Sequence, residues 1–114
     1  MNLHDMGLEM NLASANFADR YETAFAAMKA ACDHMPQAYA AGIRAQINAV
    51  HDLVDTIWGE GTYAGLKLDE DDLMPHLELV EAIVAEATTQ SARIRDRYAK
   101  YRPNRAERRA GGKK

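Results

Sequence analysis

Residues 73–101, LMPHLELVEAIVAEATTQSARIRDRYAKY, repeat apolar or small side chains at intervals of four and three residues in turn. Such intervals return to one face of an α-helix, so they predict a helix of about 30 residues with a heptad repeat. This predicted seam consists of Leu73, Leu77, Val80, Val84, Ala87, Ser91, Ile94, Tyr98 and Tyr101. Asp69 or Asp71 is expected to cap the first turn, where Pro75 is also tolerated.

Two further helical patterns precede this one. The first is expected to start between Leu8 and Asn16, with Asn16 as its cap, and to end before Pro36. The second is expected to start at Pro36 and to reach about Trp58. The apolar stripe of the first helix is Phe17, Tyr21, Ala24, Met28, Ala31 and Met35. The stripe of the second helix is Ala40, Ile43, Ile47, Val50, Val54 and Ile57.

The connections between these helices are expected to be short. The apolar stripe steps by five residues from Met35 to Ala40, which favours a tight turn over a single kinked helix. Residues 59–67, GEGTYAGLK, contain three glycines and are expected to form a loop. Trp58 is expected to close the end of the bundle, and Tyr63 either anchors the loop or contacts a partner.

The predicted fold is therefore all-α. We expect an antiparallel three-helix bundle with a long third helix, and a basic, flexible C-terminal tail. The bundle domain is assigned to residues 1–102 and the tail to residues 103–114, where the apolar periodicity stops. The third helix outruns the other two, so its last turns are expected to offer a surface to a partner.

Composition narrows the class of protein further. The chain has 114 residues, which is typical of one domain. Cys32 is the single cysteine, so an intramolecular disulfide is excluded, and a buried, inert thiol is expected. No apolar run is long enough to span a membrane. The N-terminal residues MNLHDMGLEMNL lack the basic start of a secretory signal, which favours the cytoplasm.

Charge is strongly segregated along the chain. Residues 93–114 contain ten Lys and Arg against two acids, a net charge of +8, whereas residues 1–92 carry −11. The basic end, with Tyr98 and Tyr101 nearby, could neutralise phosphates and stack on bases. The acidic body would repel the same polyanion. We therefore favour a protein partner and keep nucleic acid as the alternative.

Several acidic residues and histidines have the chemistry for catalysis or metal binding, and their helical positions indicate where the side chains lie. Asp52 and Asp55, with Glu78 and Glu81, form two acidic pairs that are similar to the Mg²⁺-binding motifs of all-α nucleotide pyrophosphatases. Heptad positions direct three of these four side chains away from the core, so a solvated acidic face is expected. His51 lies one turn before Asp55, at a heptad position where the core meets the surface, so a boundary residue is expected rather than a metal ligand.

The other histidines give no sign of a site. His34 and His76 are expected at the surface or at helix ends, and His4 in a loose N-terminus. No catalytic residue, metal site or cofactor is predicted.

The last residues add a resemblance. NRAERRAGGKK, residues 104–114, resembles the C-terminal ends of tail assembly chaperones of long-tailed phages. That resemblance implies a small, largely helical protein that coats the tape measure protein and recruits tail tube subunits. Genes of that family often end in a programmed frameshift, and a slippery run such as GGGAAAA would encode the Gly112-Lys113 found here. The resemblance covers 11 of 114 residues and transfers no functional residue.

Our expectation is thus a non-enzymatic phage morphogenesis protein that acts in the infected bacterial cell or on the virion. Its partners would be the tape measure or tail tube protein, or a second copy of itself. The expected contact residues are Ile94, Arg97, Tyr98, Tyr101, Arg102 and Arg105. The alternatives are a small virion structural or nucleic-acid-associated helical protein, and a Mg²⁺-dependent nucleotide hydrolase.

Overall fold

The computed structural model describes residues 1–100 and confirms the all-α fold over that part of the chain. Three long helices follow one another as predicted: α1 (Ala15–Asp33), α2 (Tyr39–Trp58) and α4 (Leu73–Ala99). The residues predicted as a loop between the second and third of these contain a short helix, α3 (Thr62–Leu66), which corrects that prediction.

The helix caps differ from those predicted. Ser14, not Asn16, caps α1, because its hydroxyl accepts a hydrogen bond from the Phe17 N–H at 3.4 Å. Asp72 caps α4 by accepting from the Met74 N–H at 2.9 Å. The prediction of Asp69 or Asp71 as that cap is wrong, since a cap must directly precede the first helical residue.

The tight turn between α1 and α2 is confirmed and spans residues 34–38. Pro36 does not begin α2, as was predicted. It lies inside this turn, and its carbonyl oxygen would be 3.3 Å from a Cβ placed on Gly42. A glycine at this position therefore lets the turn fold closely over the first turn of α2. A five-residue connection also makes α1 and α2 antiparallel neighbours.

Helix α2 is the central element of the core. It packs against α1, α3 and α4, whereas no Cα of α1 comes within 8 Å of a Cα of α4 in the described chain. The buried hydrophobic residues of α2 are Ile47, Ala49, Val50, Leu53, Val54 and Ile57. Four of them belong to the predicted stripe, while Ala40, at its start, is exposed. The stripe was therefore largely correct.

The N-terminal residues belong to the core and are not loose. Leu3 and Leu8 are buried. The Gln90 side chain on α4 holds the backbone of this segment, because its amide N donates to the Met10 carbonyl at 2.9 Å and its amide O accepts from the Leu12 N–H at 2.8 Å. Trp58 closes the same end of the core, and its indole N–H donates to the Glu9 carbonyl at 2.6 Å.

The buried face of α4 is rotated from the predicted seam and shares only Ala87 with it. Its buried residues are His76, Leu79, Ile83 and Ala87. Two members of the predicted seam, Leu77 and Val84, keep 36% and 43% of their surface exposed. Contact with α2 and with the N-terminal segment together turns this face inward and leaves much of the predicted seam at the surface. From Ser91 to Lys100 every residue is exposed.

The prediction of a buried thiol at Cys32 is wrong. It is exposed near the end of α1, where neighbouring Ala31 is exposed as well. The buried residues of α1, Phe17 and Ala24, lie in its first half, which explains why a residue of the apolar flank at its far end is not covered.

The buried position of Leu8 leads to a prediction. Leu8→Ala should lower the free energy of unfolding by about 2–5 kcal/mol, because it leaves a cavity in the core. Met74→Ala, at an exposed methionine, is the matched control and should change stability by less than about 0.5 kcal/mol. Urea denaturation measures both values. Equal effects of the two substitutions would contradict a packed N-terminal segment.

Candidate protein-binding groove

The contact residues predicted from the sequence fall partly within the described chain. Ile94, Arg97 and Tyr98 lie in the last turns of α4. Ile94 is 40% exposed and Tyr98 is 55% exposed, one turn apart on the same helix. Tyr101, Arg102 and Arg105 lie outside the described residues, as does the tail assigned to residues 103–114.

A groove of about 420 Å³ runs along this end of α4. Residues from α4 form one wall, and residues from α1 and the segment before it form the other. The lining residues are Leu12, Ala18, Tyr21, Glu22, Ser91, Ile94, Arg95 and Tyr98. The structure thus brings two predicted contact residues, Ile94 and Tyr98, together in one groove. Arg97 does not line it.

The chemistry of the groove is apolar with a charged rim. Tyr21 packs on Phe25, with ring centroids 4.6 Å apart, and burial raises the pKa of the Tyr21 hydroxyl above its ordinary value of 10.0. The phenol is therefore neutral at physiological pH. Glu22 on one wall and Arg95 on the other provide opposite charges. Such a groove fits apolar side chains and can orient them through charge.

Sequence reasoning missed the wall of the groove formed by Leu12 and α1. Tyr21 belongs to the predicted stripe of α1 and was assigned to the bundle interior. A signal was present in its polar hydroxyl, since tyrosines often lie where an apolar surface meets solvent. The pairing of α1 with the end of α4 comes from the tertiary arrangement and has no local sequence pattern.

The surface around the groove is basic at the end of α4. Residues 93–100 contain four Lys and Arg against one acid, all exposed. Residues 69–92 contain seven acids and no base. Helix α4 and the residues just before it therefore contain both an acidic and a basic part, as the charge distribution in the sequence indicated.

The acidic pairs lie where a solvated face would place them. Asp52, Glu78 and Glu81 are exposed. Asp55 is half-buried and uses both carboxylate oxygens: one lies 3.0 Å from Nε2 of His51, and the other accepts from the Tyr63 N–H at 2.9 Å. Within residues 1–100, no three His, Cys, Asp or Glu side chains are grouped so that they could hold a metal ion.

A buried polar contact joins α3 to the first turn of α4. Tyr63 is 3% exposed and His76 is fully buried. Nδ1 of His76 lies 2.8 Å from the Asp72 carbonyl oxygen. Because a carbonyl can only accept, Nδ1 carries the hydrogen of the neutral ring. Nε2 therefore accepts the hydrogen bond donated by the Tyr63 hydroxyl at 2.5 Å.

This contact changes the interpretation of His76 and decides between the two roles predicted for Tyr63. His76 is not a surface or capping residue, because the Tyr63 hydroxyl and the Asp72 carbonyl satisfy both of its nitrogens inside the core. Tyr63 anchors its segment, which was one of the two roles left open. The His51 ring stacks on Tyr63, with centroids 4.3 Å apart. The cluster therefore holds α3 against α2 and α4.

The described part of the chain is all-α and has an exposed, partly apolar groove. The chain belongs to the family of unknown function DUF6673, which it matches over residues 4–112. Neither the curated proteins nor the solved structures include a match to it. No helix within residues 1–100 has the length and apolarity to cross a membrane.

The Tyr63–His76 contact can be tested by removing one oxygen atom. Tyr63→Phe should lower the free energy of unfolding by about 1–3 kcal/mol, because Nε2 of His76 is left buried without a donor. Tyr39→Phe removes the same atom from a side chain that is 86% exposed and should have almost no effect. Thermal or urea denaturation compares the two variants. Equal stabilities would contradict this hydrogen bond.

The Tyr63 hydroxyl should also make the stability of the fold depend on pH in the alkaline range. Burial, with a smaller contribution from the Glu70 carboxylate, raises the pKa of the Tyr63 hydroxyl above 10.0. The folded state then binds this proton more tightly than the unfolded state, so the associated stability is complete below pH 10 and is lost above it. Tyr63→Phe removes this titration. The stability gap between wild type and variant should therefore narrow above pH 10, and a gap that widens would contradict the account.

Proposed function

We propose that this protein is a non-enzymatic tail assembly chaperone of a long-tailed phage, which binds the tape measure and tail tube proteins through helical surfaces. The groove between α1 and the end of α4 carries this proposal, since Ile94 and Tyr98 expose large apolar surface beside it. The resemblance of residues 104–114 to the ends of such chaperones supports the same assignment. The protein would act in the cytoplasm of the infected bacterium.

The groove suits an elongated helical partner. An amphipathic helix binds such a surface by inserting apolar anchors from successive turns, while charges at the rim set its direction. Tyr21 and Ile94 would contact the anchors, and Glu22 and Arg95 would meet charges on the partner. The exposed last turns of α4 extend this contact beyond the core and lengthen the surface available to a long helix.

Contacts between proteins are favoured over catalysis by the state of the acidic side chains. A Mg²⁺ site built on the acidic pairs needs Asp55, and both oxygens of Asp55 already have partners within the fold. Asp52, Glu78 and Glu81 are exposed and lack the enclosure that a hydrolase gives to its substrate.

The second candidate is a virion structural or nucleic-acid-associated protein. The observation in its favour is the exposed basic group Arg93, Arg95, Arg97 and Lys100. Binding of this kind would weaken steeply as salt increases, because cations released from phosphates drive it. A DNA titration at two salt concentrations tests it, and no binding at low salt would exclude it.

The proposed function can be tested by co-purification with the tape measure protein. Ile94→Glu should lower binding at least about tenfold, because it places a charge in the apolar wall of the groove. Ala92→Glu makes the same charge change at an exposed α4 residue outside the groove and is the matched control. Deletion of residues 101–114 separates the contribution of the tail from that of α4. Binding unchanged by Ile94→Glu would contradict the proposal.

The gene itself offers an independent check. A tape measure gene just downstream, with a slippery run at codons 112–113, would agree with the proposed family role. A coding sequence without such a run and without that neighbour would weigh against it.

A further inference from the structure

One flank of α4, beside the face that is buried in the core, carries a regular row of exposed residues. They follow each other at intervals of four and three residues, so they form one line along the helix. This row, here called the outer edge, consists of Leu77, Glu81, Val84, Thr88, Ser91, Arg95 and Tyr98. All seven side chains are exposed, and the row is about 31 Å long at 1.5 Å per residue.

The outer edge of one molecule is complementary to the outer edge of a second molecule that runs in the opposite direction. If two edges run in opposite directions with Thr88 at the centre, Glu81 of each copy lies opposite Arg95 of the other. Leu77 then lies opposite Tyr98, and Val84 opposite Ser91. The charged residues Glu81 and Arg95 therefore meet opposite charges on the other copy, and Leu77 meets the ring of Tyr98.

The distribution of charge selects the antiparallel direction. Residues 69–92 carry seven acids and no base, while residues 93–100 carry a net charge of +3. An antiparallel pair places each acidic half beside a basic half. A parallel pair would place like charges together along its whole length, which opposes association.

The groove provides space for the same arrangement. Tyr98, at one end of the outer edge, lines the groove together with Leu12 and Tyr21. Leu77 of a second copy, lying opposite Tyr98, would enter this apolar space. At the centre, the Thr88 hydroxyl donates to the Val84 carbonyl at 2.9 Å, so a close approach of two threonines leaves no hydroxyl without a partner.

We propose that two copies of this chain associate through their outer edges, antiparallel, around a two-fold axis at Thr88. Such an interface is isologous, because the same surface serves both copies and every contact occurs twice. The occupant of the outer edge is a second copy of this chain. The inference stands on the residues of α4 and does not rest on the proposed function, since purified protein alone is enough to test it.

The experiment is a charge-swap cycle on the full chain, with the dimer dissociation constant measured by sedimentation equilibrium. Glu81→Arg should raise that constant about tenfold, because one substitution changes both symmetry-related pairs. Arg95→Glu should do the same. The double variant should return to the wild-type value, since each pair would again join opposite charges, with the acid and the base exchanged between the two positions.

The matched control is Glu78→Arg, which makes the same charge change at an exposed residue of α4 outside the outer edge. It should leave the dissociation constant within about twofold of wild type. Circular dichroism shows whether each variant keeps its helices. A monomer at every concentration would overturn the proposal and leave the edge to another protein. A dimer unaffected by the single swaps, or not restored by the double swap, would overturn it too.

A second measurement reports on the axis without changing charge. In a Cys32→Ser background, Thr88→Cys should form a disulfide-linked dimer on oxidation, because the two copies of this residue meet at the axis. Thr89→Cys, exposed on another side of the helix, should cross-link at least about tenfold more slowly. Equal rates for the two variants would overturn the proposed position of the axis.

Discussion

The hydrogen bond from the Tyr63 hydroxyl to His76 fixes which side of α4 lies against the core. His76 shares its helical face with Leu79 and Ile83, so an inward His76 makes those residues inward as well. Tyr63 is itself held by the Asp55 carboxylate on α2. A chain of polar contacts therefore runs from α2 through α3 to α4. Apolar packing supplies most of the stability along this path, and the polar contacts set the rotation.

That rotation determines what α4 can do on its other side. With Ile83 inward, Leu77 and Val84 point away from the core and form part of an exposed row. Past Gln90 the helix leaves the packed region, lines the groove with Tyr98 and carries an exposed net positive charge. One helix thus stabilises the fold with one face and offers an apolar, charged surface with another. Both proposals for its partners depend on this division.

Helix α4 also shows how much of this structure could be predicted from the sequence. Periodicity identified α4 correctly, yet two stripes with similar spacing overlap in it, one through Leu77 and Val84 and one through His76 and Ile83. The second stripe contains a histidine, and only the fold supplies the partners that satisfy His76. The buried N-terminal leucines and the α1 wall of the groove depend on contacts between distant parts of the chain, which periodicity does not report.

Two substitutions at adjacent residues of α4 show which of its faces lies against the core. Ile83 is fully buried and Val84 is 43% exposed. In protein dilute enough to be monomeric, Ile83→Ala should lower the free energy of unfolding by about 2–5 kcal/mol, and Val84→Ala by less than about 1 kcal/mol. The reverse order, with Val84→Ala the more damaging substitution, would show that the heptad seam faces the core and would contradict the account.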